Sequence, residues 1–235
     1  MMRDGPSRRT LLRSGLLLGV GGWAQILAGC SSPDSPPPTT QPIRTPTSPA
    51  STPTGGEMPA ASRILIAYFS RPGENYYYGG RRDLEVGNTE VLARIIAELI
   101  GCDVHRIAAT DPYPDGYDAT VARNVSEQNA DARPAIANPL ASIERYDRLL
   151  LGSPIWNVRP PMIMSTFAES YDFTGKTVHP FVTYAVSGLG STERDYAASC
   201  AGGQIRPGLA VRGEEVTQHR DDVSTWLRQS RLLST

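Results

Sequence analysis

Several things this sequence does not contain narrow what it can be. It has three cysteines and three histidines in 235 residues. None of them forms a Cys-x-x-Cys or a His pair at ligand spacing, so no structural metal is expected. It has no surplus of charge of either sign: 23 basic against 24 acidic residues, a formal net charge of −1. From residue 58 onward the count is 18 basic and 21 acidic. That balance excludes a nucleic-acid binder and lacks the strongly acidic surface of a carrier steered onto basic partners. It has no Gly-x-Ser-x-Gly. Ser187 has Ala185 and Leu189 where a nucleophile elbow needs glycine, which argues against a serine hydrolase. It also has no long apolar run. Ser14 to Gly29 is free of charge but contains five glycines, and a spanning helix needs ~20 mostly apolar residues.

That short run has another reading. Ser7-Arg8-Arg9-Thr10-Leu11-Leu12-Arg13 is a twin-arginine pattern immediately before it, which reads as a Tat export signal over residues 1–29. Leu27-Ala28-Gly29-Cys30 resembles a lipobox, with Cys30 as the lipidated residue. Residues 30–62 then form a linker. Nine of the 20 prolines lie between Pro33 and Pro59, among serines and threonines. Such a composition cannot bury a core and favours extended, polyproline-like chain. The expected location is the bacterial cell envelope, with a lipid anchor on the outer face of the cytoplasmic membrane. Tat substrates generally fold before export, which favours a domain that carries a cofactor.

Residues 63–231 make one domain of 169 residues, enough for a sizeable core. Five apolar strands alternate with five helices in the sequence. Strands are expected at 64–69, 103–107, 148–152, 177–185 and 208–212. Helices are expected at 88–100, 116–130, 160–171 (with Pro160 and Pro161 in the first turn), 191–200 and 215–227. The near-continuous apolar strand at 64–69 indicates coverage on both faces. The pattern is that of a doubly wound, five-stranded parallel sheet with helices on both faces. Ligands of such sheets sit at the carboxyl ends of the strands. Cys102 and Cys200 are expected to be two separate small buried residues rather than a pair.

Three loops at those ends carry the candidate site. The first holds Ser70 and Arg71, then Gly87-Asn88-Thr89 at a helix start. Hydroxyls and backbone N–H groups there suit a phosphate, although Asn88 or Thr89 with Glu90 would equally cap any helix. Between its halves, Gly79-Gly80 is expected to turn a short hairpin after Tyr76-Tyr77-Tyr78. The tyrosines border either a ligand or the sheet edge, and simple packing over the edge is the expectation. The second loop is Ser153-Pro154-Ile155-Trp156-Asn157. Trp156 suits stacking on a planar ring, and Asn157 tolerates left-handed backbone. The third runs through Tyr184, Val186, Ser187 and Gly188, where backbone can approach a ring edge.

Taken together, Tyr68-Phe-Ser-Arg-Pro-Gly-Glu-Asn-Tyr76, Val86-Gly-Asn-Thr-Glu90, Gly152-Ser-Pro-Ile-Trp156 and Ser187-Gly-Leu-Gly190 resemble the flavodoxin family. The likeness is to its branch with an interrupted phosphate loop. The resemblance implies a flavodoxin-like fold and non-covalent FMN, held by Ser70, Arg71, Gly87, Asn88, Thr89, Ser153, Pro154, Ile155, Trp156, Asn157, Tyr184, Val186, Ser187 and Gly188. It implies electron transfer, as a carrier or a small flavin reductase, with a redox partner protein or a quinone-like small molecule. In one respect the chain departs from the family: Ala185-Val186 stand where its members usually have Gly-Gly. That departure supports the alternative of a flavodoxin-fold binding module without FMN. No dedicated nicotinamide domain fits in the remaining length.

Overall fold

The computed structural model describes residues 63–234. The twin-arginine segment, Cys30 and the proline-rich linker lie outside the described residues. The first strand, β1 (Ile64–Phe69), is buried along its whole length. Its alternate side chains serve two cores. Leu65, Ala67 and Phe69 face one, with Leu149, Leu151 and Phe167. Ile64, Ile66 and Tyr68 face the other, with Leu92, Ile96, Leu150 and Phe181. This two-sided use is why the strand is apolar at every position rather than at every second one.

A hairpin follows, β2 (Gly73–Tyr77) and β3 (Gly80–Leu84), paired antiparallel to each other and apart from the main sheet. Its two turn residues are Tyr78 (φ 45°) and Gly79 (φ 87°), not the expected Gly79-Gly80. Two residues with positive φ give the turn whose twist matches the flanking strands. Tyrosine is held in that conformation by contacts from a distance. Its N–H donates to Glu214 Oε1 at 3.1 Å and its hydroxyl to Glu215 Oε1 at 3.2 Å.

Helix α1 (Asn88–Ile100) buries Leu92 and Ile96 and ends at Gly101 (φ 55°), whose N–H returns to Ala97 O. Then come β4 (Asp103–Ile107), α2 (Tyr117–Asn129), β5 (Arg148–Pro154), α3 (Met162–Glu169), β6 (Thr177–Tyr184) and α4 (Thr192–Ser199). After two short strands, β7 (Gln204–Ile205) and β8 (Leu209–Arg212), a 3₁₀ turn over Gly213–Gln218 leads into α5 (Arg220–Gln229). All pairings in the main sheet are parallel. The order is β4-β1-β5-β6, with β7 and β8 both pairing with β6. The fifth sheet position is therefore filled by two segments. Pro207 lies between them and cannot donate a ladder hydrogen bond. The result is the doubly wound parallel α/β sheet with helices on both faces.

Two helices differ from expectation. Helix α3 starts at Met162, with Pro161 as its extended N-cap (ψ 148°) rather than in the first turn. Pro161 drives Pro160 out of the helical region, so the helix cannot begin earlier. The last helix is broken at His219 into the 3₁₀ turn and α5. Cys102 and Cys200 are both free, and only Cys200 is buried; burial pushes the two thiols up to about 11 and about 12 respectively.

The break at His219 gives a pH prediction. Its Nδ1 lies 2.6 Å from Asp222 Oδ2, and that hydrogen bond raises its pKa above the ordinary 6.5. A raised folded value means that the stabilisation is full below about pH 6.5 and is lost as pH rises through the folded pKa. Urea unfolding of the wild type and of His219→Gln should therefore differ most at pH 6 and converge by pH 9. A constant difference across that range would show that the imidazole charge contributes nothing.

Candidate functional site

The carboxyl ends of β1, β5 and β6 open onto one cleft with two compartments. The smaller, about 100 Å³, is lined by Ser70, Arg71, Asn88 and Thr89 on one side and by Pro154, Ile155, Trp156, Thr183 and Tyr184 on the other. The larger, about 450 Å³, runs from Arg71 and Trp156 past Asn157 to Val186 and Ser187, with α2 as its other wall. The narrow compartment is bounded by hydroxyls, amides and a helix start. The wide one is walled by Val121, Val125, Ile155, Trp156, Val158 and Val186.

The polar end is assembled from three elements. Ser70 follows β1 and accepts at Oγ from the Glu90 N–H (3.1 Å), so it caps α1 from outside the helix. Thr89 and Thr183 share a buried hydroxyl–hydroxyl hydrogen bond of 2.7 Å, which ties the helix start to the end of β6. Gly87 is the N-cap residue, and a Cβ there would lie 2.3 Å from Ser70 Oγ and 2.5 Å from Arg71 O. Only glycine lets the returning chain close onto β1 after the hairpin. Gly213 makes similar room, since its Cβ would lie 2.5 Å from Asn88 Nδ2.

Arg71 is 7% exposed. Its Nη1 donates to Pro114 O (3.0 Å) and Asp115 O (2.8 Å), and its Nη2 to Glu74 O. It thus ties the base of the hairpin to the chain before α2. Burial pulls its pKa down. The Nε is buried without a hydrogen-bond partner. Arg71 lines both compartments, so its cationic side chain borders the cleft where it narrows. An unmet donor of this kind is costly unless an anion or another acceptor completes it.

At the wide end Trp156 packs edge-on against Phe69 (5.7 Å, 87°) and Tyr113 (5.2 Å, 70°). It opens a tight turn in which Trp156 and Arg159 exchange backbone hydrogen bonds of 2.9 and 3.3 Å. Asn157 (φ 50°) and Val158 (φ 63°) are both left-handed. For a β-branched residue this is strained. The turn is clamped by Ser191, whose N–H donates to Val158 O at 2.8 Å, and by Gln128 Nε2, which donates to Trp156 O at 3.1 Å. Gly190 is what permits the clamp, since a Cβ on it would lie 2.1 Å from Val158 O.

Most residues expected at the site line this cleft. Three do not. Ser153 is fully buried inside β5, because the pleat turns it inward with Leu149 and Leu151. Gly87 lies behind the polar wall rather than on it. Gly188 (φ 57°) stands in the third loop with nothing nearby and does not border the cleft. Tyr76 lines both compartments, so the tyrosine cluster does more than cover the sheet edge. Asn75, Tyr117, Thr183, Gly213 and Glu214 also line the cleft without having been singled out. Thr183 was legible as the last polar residue of an apolar strand. The others arrive from the hairpin, α2 and the 3₁₀ turn, and no local pattern marks them.

The fold and this cleft define a doubly wound α/β protein with a cleft at the strands' carboxyl ends, beside a helix start and a tryptophan. A family model described as flavodoxin matches residues 82–230, and the chain belongs to that family. The match begins after β1 and most of the hairpin. Two crystal structures are similar, each of a protein classed by inference as a flavoprotein. One, from Bacteroides uniformis ATCC 8492, is 26% identical with a TM-score of 0.55, covering 72% of this chain and 99% of that one. The other, from Bacteroides eggerthii DSM 20697, is 27% identical with a TM-score of 0.51, covering 69% and 98%. No curated protein matches the sequence significantly.

Proposed function

We propose that this chain is a membrane-tethered FMN protein that works in electron transfer, as a carrier or a small flavin reductase. The observation that carries the reading is the cleft itself. A polar cradle with an unpartnered buried Arg71 Nε opens directly into an apolar compartment bordered by Trp156. One end suits a phosphate and the other a planar ring, at the separation set by a single continuous cleft. Ser70, Arg71, Asn88 and Thr89 would hold the phosphate through the Arg71 Nε, hydroxyls and the helix-start N–H groups. Pro154, Ile155, Trp156 and Asn157 would border the ring on one side, and Tyr184, Val186 and Ser187 on the other. Bound there, FMN would supply the one- and two-electron chemistry.

The protein's own part is positioning. The turn at Asn157-Val158 borders the cleft in a strained left-handed conformation, and its clamps engage the carbonyls of Trp156 and Val158 but not that of Asn157. A peptide of that kind can change orientation to match the protonation state of a ring nitrogen. The wide compartment is open to solvent, so an acceptor such as a quinone-like molecule could meet the ring directly, as could the edge of a partner protein.

A stopped-flow experiment tests the redox part. The FMN-loaded chain, photoreduced without oxygen, is mixed with a water-soluble naphthoquinone. Saturable reoxidation faster than that of free reduced FMN supports the reading; a rate no faster than free flavin counts against a direct small-molecule acceptor.

The proposed tether rests on the twin-arginine pattern, the lipobox ending in Cys30 and the proline-rich linker. Cys30→Ala should move the protein from the membrane to the soluble fraction and abolish incorporation of labelled palmitate in the native host. Unchanged membrane association would contradict lipid anchoring.

A further inference from the structure

A second cavity lies at the opposite end of the sheet from the cleft. It measures about 550 Å³ and is lined by Arg148, His179, Arg206, Trp226 and Arg231, among others. Arg148 opens β5, where it pairs in register with Thr177 at the start of β6. His179 lies two residues further along β6, on the face that carries Phe181 toward α1 and α5. Arg206 sits between β7 and β8, and Arg231 follows α5. Four segments distant in sequence thus bring three guanidinium groups and an imidazole to one hollow.

Nothing in the hollow neutralises them. No aspartate or glutamate lines it. None of the three arginines is ion-paired among the described residues, although most other arginines of the domain are. The carbonyl end of α5 engages one nitrogen of Arg148, which donates to Arg231 O at 3.1 Å. Arg206 has only a 3.4 Å contact to Gln204 Oε1. His179 is 4% exposed, and its Nδ1 is buried with no hydrogen-bond partner. The neighbouring Trp226 ring, 6.3 Å away, cannot serve, because its N–H is already given to Pro207 O. Burial and the charges of Arg206 and Arg148 drive the His179 pKa down to about 4, so the ring is neutral at pH 7. Unpaired guanidinium groups from separate segments that converge on one hollow form the cationic half of an anion site.

We propose that this cavity binds the phosphate group of a phosphate ester, with Arg148, Arg206 and Arg231 as its cationic donors and His179 at its inner wall. Guanidinium forks match phosphate oxygens in pairs, and three of them exceed the charge of either a phosphate monoester or a phosphodiester, so both are attracted. The volume leaves room for the esterified part, and Trp226 offers that part an apolar wall. The chemistry is shared by two sources, a soluble phosphate ester and a phospholipid headgroup. The site is independent of the flavin cleft, since no residue lines both.

The test uses the full-length chain and the imidazole C–H resonances of its three histidines, assigned with His179→Gln. Glycerol phosphate is titrated against sodium chloride at equal ionic strength. The expected result is a saturable shift of the His179 resonance with His105 unmoved, weakened about tenfold or more in Arg148→Gln and in Arg206→Gln. Arg228→Gln, an arginine outside the cavity, should leave it unchanged. Vesicles of phosphatidylglycerol, compared with phosphatidylcholine, then separate the sources. Selective broadening of His179 by the anionic vesicles, lost in the same two variants, identifies a lipid headgroup. Saturation by glycerol phosphate without that broadening identifies a soluble ester. No saturable shift of His179 with either probe, or a shift unaltered in both arginine variants, overturns the proposal.

Discussion

Trp156→Ala should weaken FMN binding ten- to a hundredfold, about 1.5–3 kcal/mol, from lost stacking and lost apolar contact. The indole reaches the cleft from a turn whose geometry is independently fixed by Ser191 and Gln128. Removing the ring should therefore leave the cradle at Ser70, Asn88 and Thr89 intact. Trp156 also packs on Phe69 and Tyr113, so some loss of stability accompanies the change. Trp156→Phe separates the two effects. It keeps an aromatic edge toward Phe69 and Tyr113 while offering a smaller face to the flavin, and its affinity should fall between those of wild type and alanine. Fluorescence titration gives the affinity, and urea unfolding of the flavin-free protein gives the stability. Lower stability with unchanged affinity would make Trp156 a core residue and remove it from the site.

The largest effect on the fold should come from Gly152→Ala. A Cβ at this position in β5 would lie 2.1 to 2.7 Å from three atoms of the Phe181 ring on the adjacent strand. Phe181 is itself fully buried among Ile66, Leu92, Leu150 and Val211. Neither strand can shift without disturbing the ladders on its other side, so the ring must leave its rotamer. Overpacking of this kind costs ~1–3 kcal/mol and occasionally more, a large part of the ~5–15 kcal/mol that holds a domain folded. The urea midpoint should fall accordingly, and Phe181→Leu in the same chain should recover part of the loss, since the two residues share one space. A midpoint within error of wild type would mean that β5 and β6 are not locked as described.

The sheet was legible because β1 and most of β5 are apolar at successive positions and α1 has a clear stripe. Those signals reflect burial on two faces, which local sequence records. Boundaries governed by tertiary contacts were not legible. Tyr78 takes a left-handed turn position in place of Gly80 because Glu214 and Glu215 hold it from 136 and 137 residues away. The last strand was found where expected, after Pro207, but the two-residue β7 before that proline was not, since so short a segment leaves no periodic signal. At the site, the sequence located the three loops and Trp156, because phosphate cradles and strand ends have short local signatures. It misplaced Ser153, since extending β5 by two residues to Pro154 turned that side chain inward. It also left Tyr76 on the sheet edge and passed over Tyr117 and Glu214, whose presence depends on where the hairpin, α2 and the 3₁₀ turn come to rest.

The central claim is that the cleft binds FMN. It is tested most directly by purifying the full-length chain from cytoplasm, recording its visible spectrum, and titrating it with FMN and with riboflavin. The account predicts oxidised-flavin absorption bands, quenched flavin fluorescence on binding, and tighter binding of FMN than of riboflavin, because Arg71, Asn88 and Thr89 act on the phosphate. A folded, colourless protein that neither binds nor quenches added FMN would contradict it and leave a flavodoxin-shaped module with a different ligand.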